Sequence, residues 1–197
     1  FDKVDVTHQD ELPTDEVRDM TKLLKMTIKK KPEYILAFDG DEILAPNSKE
    51  ILSEELNVFY PDSKIFEFQF LYFWDKLNKI RYDGIYGKTW QPRLLKIDSD
   101  TQKLRIKESN YSGNLHCGSI PISPKLSEKL IRSNVKIFHY GNFDDNIRQQ
   151  KFKFYNNHDP DSSEQDGYLH MISEKGKHSG SSGIELITLP NFMCKKL

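Results

Sequence analysis

Apolar positions along this chain follow two periods. Over residues 14–31, Val17, Met20, Leu23, Leu24 and Ile28 recur at helical spacing, with Asp15 and Glu16 in the first turn and Lys29-Lys30-Lys31 at the end. That pattern predicts an amphipathic helix, stopped by Pro32 because proline disfavours a helical residue before it. Residues 34–39 follow as an unbroken apolar run that predicts a buried strand, and the run ends in Asp39-Gly40-Asp41-Glu42. Asn47, with Glu50 three residues on, has the form of a capping box and predicts a second helix over 48–58. In 66–74, Phe66, Phe68, Phe70, Tyr72 and Trp74 alternate with other residues, which predicts a long strand with one aromatic face against the core.

Further strands are predicted at 90–97, 103–106, 135–140 and 184–189, and helices at 124–133 and 142–157. Arg148, Lys151 and Lys153 would give the last helix a basic face, with Lys151 and Arg148 solvated or, as the alternative, in contact with phosphate or an acceptor. Residues 156–183, rich in Asp, Ser, Gly and His, read as a loop-rich tail. Helix, strand, acidic turn, helix is an α/β order. It predicts one domain, 1–197, with a mixed sheet flanked by helices.

Composition narrows the chemistry. A net charge of −1 over 197 residues, with 30% charged, gives no bulk attraction to a polyanion, so nucleic acid is not an expected partner. The longest aromatic run, 65–74, is too short to span a bilayer as a helix, so no transmembrane segment is expected. Two cysteines, Cys117 and Cys194, make neither a disulfide framework nor a metal-spaced pair, which fits a reducing cytoplasm.

The acidic turn admits three chemistries. A calcium loop of EF-hand type fails, because Ile43 and Leu44 stand at its fifth and sixth places where a ligand and a glycine are needed. A phosphohydrolase of the haloacid dehalogenase type would use Asp39 as nucleophile and both aspartates on Mg²⁺, with 141–145 as a later acidic motif. Glu42-Ile43 is wrong for its next two positions. In the third reading, two carboxylates one residue apart face one cavity and a hard divalent ion. Three acids at the tip of an apolar strand repel one another unless a cation is present, which favours metal.

Here "YILAFDGDEIL" resembles the strand and Asp-x-Asp-Glu turn of family 2-like glycosyltransferases of the GT-A fold. "WQPRLLK" is similar to their Trp-x-x-Arg-Leu-Phe segment, "LHCGSIP" to their central His motif, and "HYGNFDDNIRQQKFKFY" to a His-Tyr-Gly segment followed by a basic helix. The resemblance covers residues 10–155. It implies a GT-A-like, Rossmann-like sheet and a metal-dependent enzyme that passes a sugar from a nucleotide-diphosphate sugar to a hydroxyl of a glycan, lipid-linked or protein acceptor. Only Val4-Asp5-Val6 precedes the first helix, so the fold is expected to be incomplete at its N-terminus, without the first nucleotide-binding units.

The resemblance also distributes roles. Asp41 and Asp39 would hold Mg²⁺ or Mn²⁺, with Asp39 alternatively on the donor ribose, and Glu42 beside them. His139 or His116 would complete the metal shell. Arg18 and Arg93 would bind the diphosphate, and Trp90 would stack on a sugar. The acceptor-side base would be Asp83, in a glycine-flanked turn, ahead of Glu108 and Asp144. A non-catalytic carbohydrate- or partner-binding remnant, with the aromatic strand as its face, is the alternative outside enzymes.

Overall fold

The computed structural model describes residues 15–99, 101, 103–107, 115–121, 130–159, 168–172 and 183–189. Its elements are helix α1 (Glu16–Lys29), strands β1 (Tyr34–Leu36) and β2 (Glu42–Leu44), helix α2 (Ser48–Glu54) running into a π-helical turn (Glu55–Phe59), strands β3 (Ile65–Trp74), β4 (Lys76–Arg81), β5 (Trp90–Lys96) and β6 (Leu130–His139), helix α3 (Asp145–His158) and strand β7 (Leu186–Thr188). Together they form a mixed α/β unit with a curled seven-stranded sheet among the described residues.

Strand β3 organises the sheet. It pairs antiparallel with β4 and β5 and parallel with β6, and β2 joins the far edge of β6. Its alternation sends Phe66, Phe68 and Phe70 to one face with Leu94, Val135 and Ile137, where Ile51, Leu52 and Leu56 of the α2 segment cover them. Ile65 and its cross-strand partner Leu95 point to the opposite face. Leu95 pairs in turn with Ile35, and Leu24 of α1 packs there. Two layers of helix thus close two apolar faces of one sheet.

Two irregularities shape the functional end. Along β3 and β5 the partner of Phe66 is Leu94, yet the partner of Glu67 is Pro92, which leaves Arg93 as the extra residue of a β-bulge. A bulge re-aims its side chain, and Pro92, with no N–H to give, sits where the ladder is already broken. Along β3 and β6 the register slips between Glu67 and Gln69. There the buried Glu55 carboxylate accepts from Ser133 Oγ at 2.5 Å, Asn134 N at 2.8 Å and Asn134 Nδ2 at 3.1 Å.

Several expectations change. The strand predicted at 34–39 is shorter and pairs with β5 alone among the described strands, leaving Leu36 and Phe38 partly exposed. Asn47 makes no side-chain cap: it takes a left-handed φ of 68°, and Ser48 Oγ instead donates to Ala45 O at 2.5 Å. Residues 103–106 carry no strand, since Thr101 pins the turn at Asp98 and the chain runs on irregularly. Of the helix predicted at 124–133, residues 124–129 lie outside the described residues and 130–133 are strand, because β3 offers Leu130 and Ile131 an apolar edge. The segments before residue 15 and most of 156–183 also lie outside them.

Candidate functional site

The site grows from register. Glu42 and His139 are direct cross-strand partners in β2 and β6, and Tyr72 of β3 is the parallel partner of His139. Asp41, the residue before β2, is tied down by Tyr140, whose N–H donates to its carbonyl at 2.8 Å. Side-chain ligand atoms of Asp41, Glu42 and His139 therefore lie within 4.8 Å of one another. This convergence occurs at the carboxyl ends of β3 and β6, the parallel pair of the sheet, where α/β folds place ligands.

Gly141 makes the close approach possible. A Cβ at that position would lie 2.0 Å from Asp41 Oδ2, 2.2 Å from Lys151 Nζ and 2.6 Å from His139 Cε1. The backbone therefore forms one wall of the cluster, as only glycine allows.

The acids are not bare. Arg93 Nη2 donates to Glu42 Oε1 at 2.5 Å and to Asp39 Oδ2 at 3.2 Å, Nη1 donates to Ser119 Oγ, and the guanidinium lies over Phe70 at 4.9 Å. Lys151 Nζ donates to Asp41 Oδ2 at 2.8 Å. The expectation that three acids need a metal to coexist is corrected here: two basic side chains already balance part of their charge. The expectation of a solvated basic face on α3 fails with it. Lys151 points into the site, and Arg148 is buried with Asp75 at 2.7 Å and Trp74 at 4.3 Å.

Environment sets the protonation states. Burial pushes the Glu42 carboxyl up to about 7, with Arg93 opposing and the Asp39 charge reinforcing. Burial also pushes Asp41 up, but His139 and Lys151 outweigh it and hold its carboxyl below the ordinary range. His139 is driven down to about 4, burial exceeding the pull of Asp41, so its ring is neutral near pH 7 as a metal ligand must be. Its Nε2 lies 3.8 Å from Asp41 Oδ1. Gly141 N–H donates to its Nδ1 at 3.2 Å, so the neutral ring carries its proton on Nε2, and ligation through Nε2 requires that proton to move to Nδ1 and the Gly141 hydrogen bond to break.

The cluster opens on a cavity of about 660 Å³ with an acidic end and an aromatic end. Lys151 and Tyr155, one turn apart on α3, span the two. Tyr155 stacks on Tyr168 with ring centroids 4.8 Å apart and lies 5.0 Å from the His116 ring. Tyr168 OH donates to Asp159 Oδ2 at 2.6 Å, which leaves its oxygen to accept from His116 Nε2 at 2.8 Å. Both His116 and Tyr168 hold left-handed φ values, 58° and 61°, a strain that the surrounding bonds sustain. Burial lowers the His116 pKa. Glu16, in the first turn of α1, accepts from the backbone N–H groups of His116 and Cys117, and burial raises its pKa.

Of the residues named from sequence, Asp41, Glu42 and His139 come together, with Arg93 against them. Asp39 lines the cavity outside that three-group cluster, its side chain half exposed. His116 also lines it but belongs to the tyrosine end, so the metal role expected of it is not supported by position. Asp83 is corrected as the base: its carboxylate is buried in a two-pronged pair with Arg81, at 2.7 and 2.8 Å, away from the cavity wall. Asp144 caps α3 through the Asn146 and Ile147 N–H groups, and Glu108 lies outside the described residues. Arg18 pairs with Asp19 off the wall, and Trp90 lies under Lys136 and Arg132 at 4.8 and 5.6 Å, also off the wall. Glu16, Tyr155, Tyr168 and Asp159 join the site without a clear signal in the sequence. Glu16 in a helix's first turn looks like a dipole partner, and Asp159 lies in a stretch that reads as loop.

No family model matches the chain, and neither a curated protein nor a solved structure matches it. No helix of the described residues is long and apolar enough to cross a membrane.

Proposed function

We propose that this cavity is the donor site of a divalent-metal-dependent glycosyltransferase with a GT-A-like sheet, passing a sugar from a nucleotide-diphosphate sugar to an acceptor hydroxyl. The observation that carries the reading is the convergence of Asp41, Glu42 and His139 within 4.8 Å at the mouth of a cavity whose wall also holds Arg93 and Lys151. The Asp41 and Glu42 carboxyl groups and a neutral imidazole form a hard-to-borderline donor set suited to Mn²⁺ or Mg²⁺, and Gly141 adds no side chain to the cluster.

Asp41, Glu42 and His139 would hold the ion, which would supply Lewis-acid neutralisation of the diphosphate leaving group. The chain does the rest. Arg93, fixed by the bulge, orients Glu42 and Asp39. Asp39, half exposed, would accept from a ribose hydroxyl. The aromatic end offers ring faces for an acceptor. The phosphohydrolase reading fits less well, because its chemistry needs Asp39 and Asp41 on one ion and Asp39 stands outside the cluster.

Thermal unfolding tests this. Mn²⁺ with a nucleoside diphosphate from the set UDP, GDP, CDP and dTDP should raise Tm by several degrees, since ligand at 100 times Kd contributes about 2.7 kcal/mol. Asp41→Ala should abolish the rise. No shift with any of the four would sink the proposal.

A further inference from the structure

The acidic end of the cavity already contains a competitor for any ion that would bind there. Lys151 Nζ lies 2.8 Å from Asp41 Oδ2, while His139 faces the other oxygen, Oδ1. Gly141 presses on both members of the pair, with a would-be Cβ 2.0 Å from Oδ2 and 2.2 Å from Nζ. An ammonium and a divalent ion cannot share that oxygen without strong repulsion.

The two cations of the wall differ in mobility. Arg93 is 3% exposed and held by several partners, whereas Lys151 is 29% exposed, and its ammonium, at the end of a flexible four-carbon stem, donates to Asp41. Charge shows why this matters. Four acidic side chains, Glu16, Asp39, Asp41 and Glu42, with Glu42 only partly ionised, line the cavity with two basic ones, Arg93 and Lys151. A bare diphosphate meets a wall with excess negative charge. A bare cation meets an Asp41 that is taken.

We infer that Lys151 is an exchangeable counter-cation: it holds Asp41 until a diphosphate arrives to take its ammonium, so that divalent ion and diphosphate load together. This rests on the metal-dependent reading above and adds to it a rule of loading. In this role Lys151 positions Asp41 in one state and binds phosphate oxygen in the other, without touching the reacting carbon.

The test uses Mn²⁺ alone and inorganic pyrophosphate. Free Mn²⁺ is followed by electron paramagnetic resonance for the wild type, Lys151→Met and Lys151→Arg, and labelled pyrophosphate retention is measured at saturating Mn²⁺. Lys151→Met should bind Mn²⁺ about ten-fold more tightly than wild type yet retain about ten-fold less pyrophosphate, the scale expected of one close charge at a partly exposed site. Lys151→Arg should stay near wild type in Mn²⁺ affinity. A merely structural lysine would not move the two affinities in opposite directions. Mn²⁺ affinity in Lys151→Met equal to or weaker than wild type overturns the inference, as does unchanged pyrophosphate retention. If no variant and no wild type binds Mn²⁺ while all melt cooperatively, the metal reading itself falls. Should Lys151→Met not fold, Lys151→Gln undergoes the same pair of measurements.

Discussion

Two clusters of buried and half-buried charge sit on the same sheet and are built on opposite plans. In the first, Arg81 and Asp83, 0% and 1% exposed, meet in a two-pronged bond, Arg81 Nη1 donates to His170 O at 2.6 Å, and Glu185 N–H donates to Asp83 Oδ1 at 3.1 Å. The guanidinium lies between Trp74 at 4.4 Å and Tyr86 at 4.2 Å. One charge meets one charge, and the donors and acceptors close on themselves. In the second, Asp39, Asp41 and Glu42 outnumber Arg93 and Lys151, glycine replaces a side chain at the centre, and a cavity adjoins. A closed pair fixes the fold. An open, unbalanced cluster with displaced pKa values is the arrangement expected of a working site.

The contrast breaks first on stability. Asp83→Ala strands a buried guanidinium and should cost about 3–5 kcal/mol in urea unfolding, whereas Asp41→Asn, at a partly exposed pair, should cost about 1 kcal/mol or less. Equal costs would make both clusters structural. Next, Gly141→Ala forces Asp41, Lys151 and His139 apart. We expect a loss of about 1–3 kcal/mol from overpacking, together with loss of Mn²⁺ binding in the same titration, where a closed cluster would show only the first.

The smallest effect is a pH dependence with two opposed parts. Glu42 is raised to about 7 from 4.5, so the folded chain holds its proton longer: that contribution to stability is full below pH 4.5 and lost as pH rises through 7. His139 is lowered to about 4 from 6.5, so its contribution is full above pH 6.5 and lost as pH falls through 4. In the wild type the two largely offset between pH 4.5 and 6.5. Glu42→Gln should unmask a rise in stability with pH over that window, read as urea midpoints. A flat profile in the variant would contradict the assignment.

The sequence makes the scaffold of this comparison visible and hides its balance. Helix α1, the aromatic alternation of β3, strand β5, the second half of strand β6, helix α3 and the Asp-Gly-Asp-Glu turn are all legible, because each depends on local period or on a run of acids. Arg93 as a bulge residue is not, since register is a property of two strands together. The basic face of α3 is readable as a face, but period does not say what a face meets, and Lys151 and Arg148 meet Asp41 and Asp75. The glycines flanking its turn make Asp83 read as a base. Arg81, two residues before it, takes that carboxylate instead.

On the proposal above, Asp41, Glu42 and His139 hold a divalent ion that Lys151 otherwise excludes. Anomalous diffraction at the manganese edge, from crystals grown with Mn²⁺ and a nucleoside diphosphate, tests it most directly. The account predicts a peak bonded to Asp41 with His139 in its shell and the Lys151 ammonium on phosphate oxygen. Lys151 still on Asp41, with no anomalous peak between the three side chains, would contradict it.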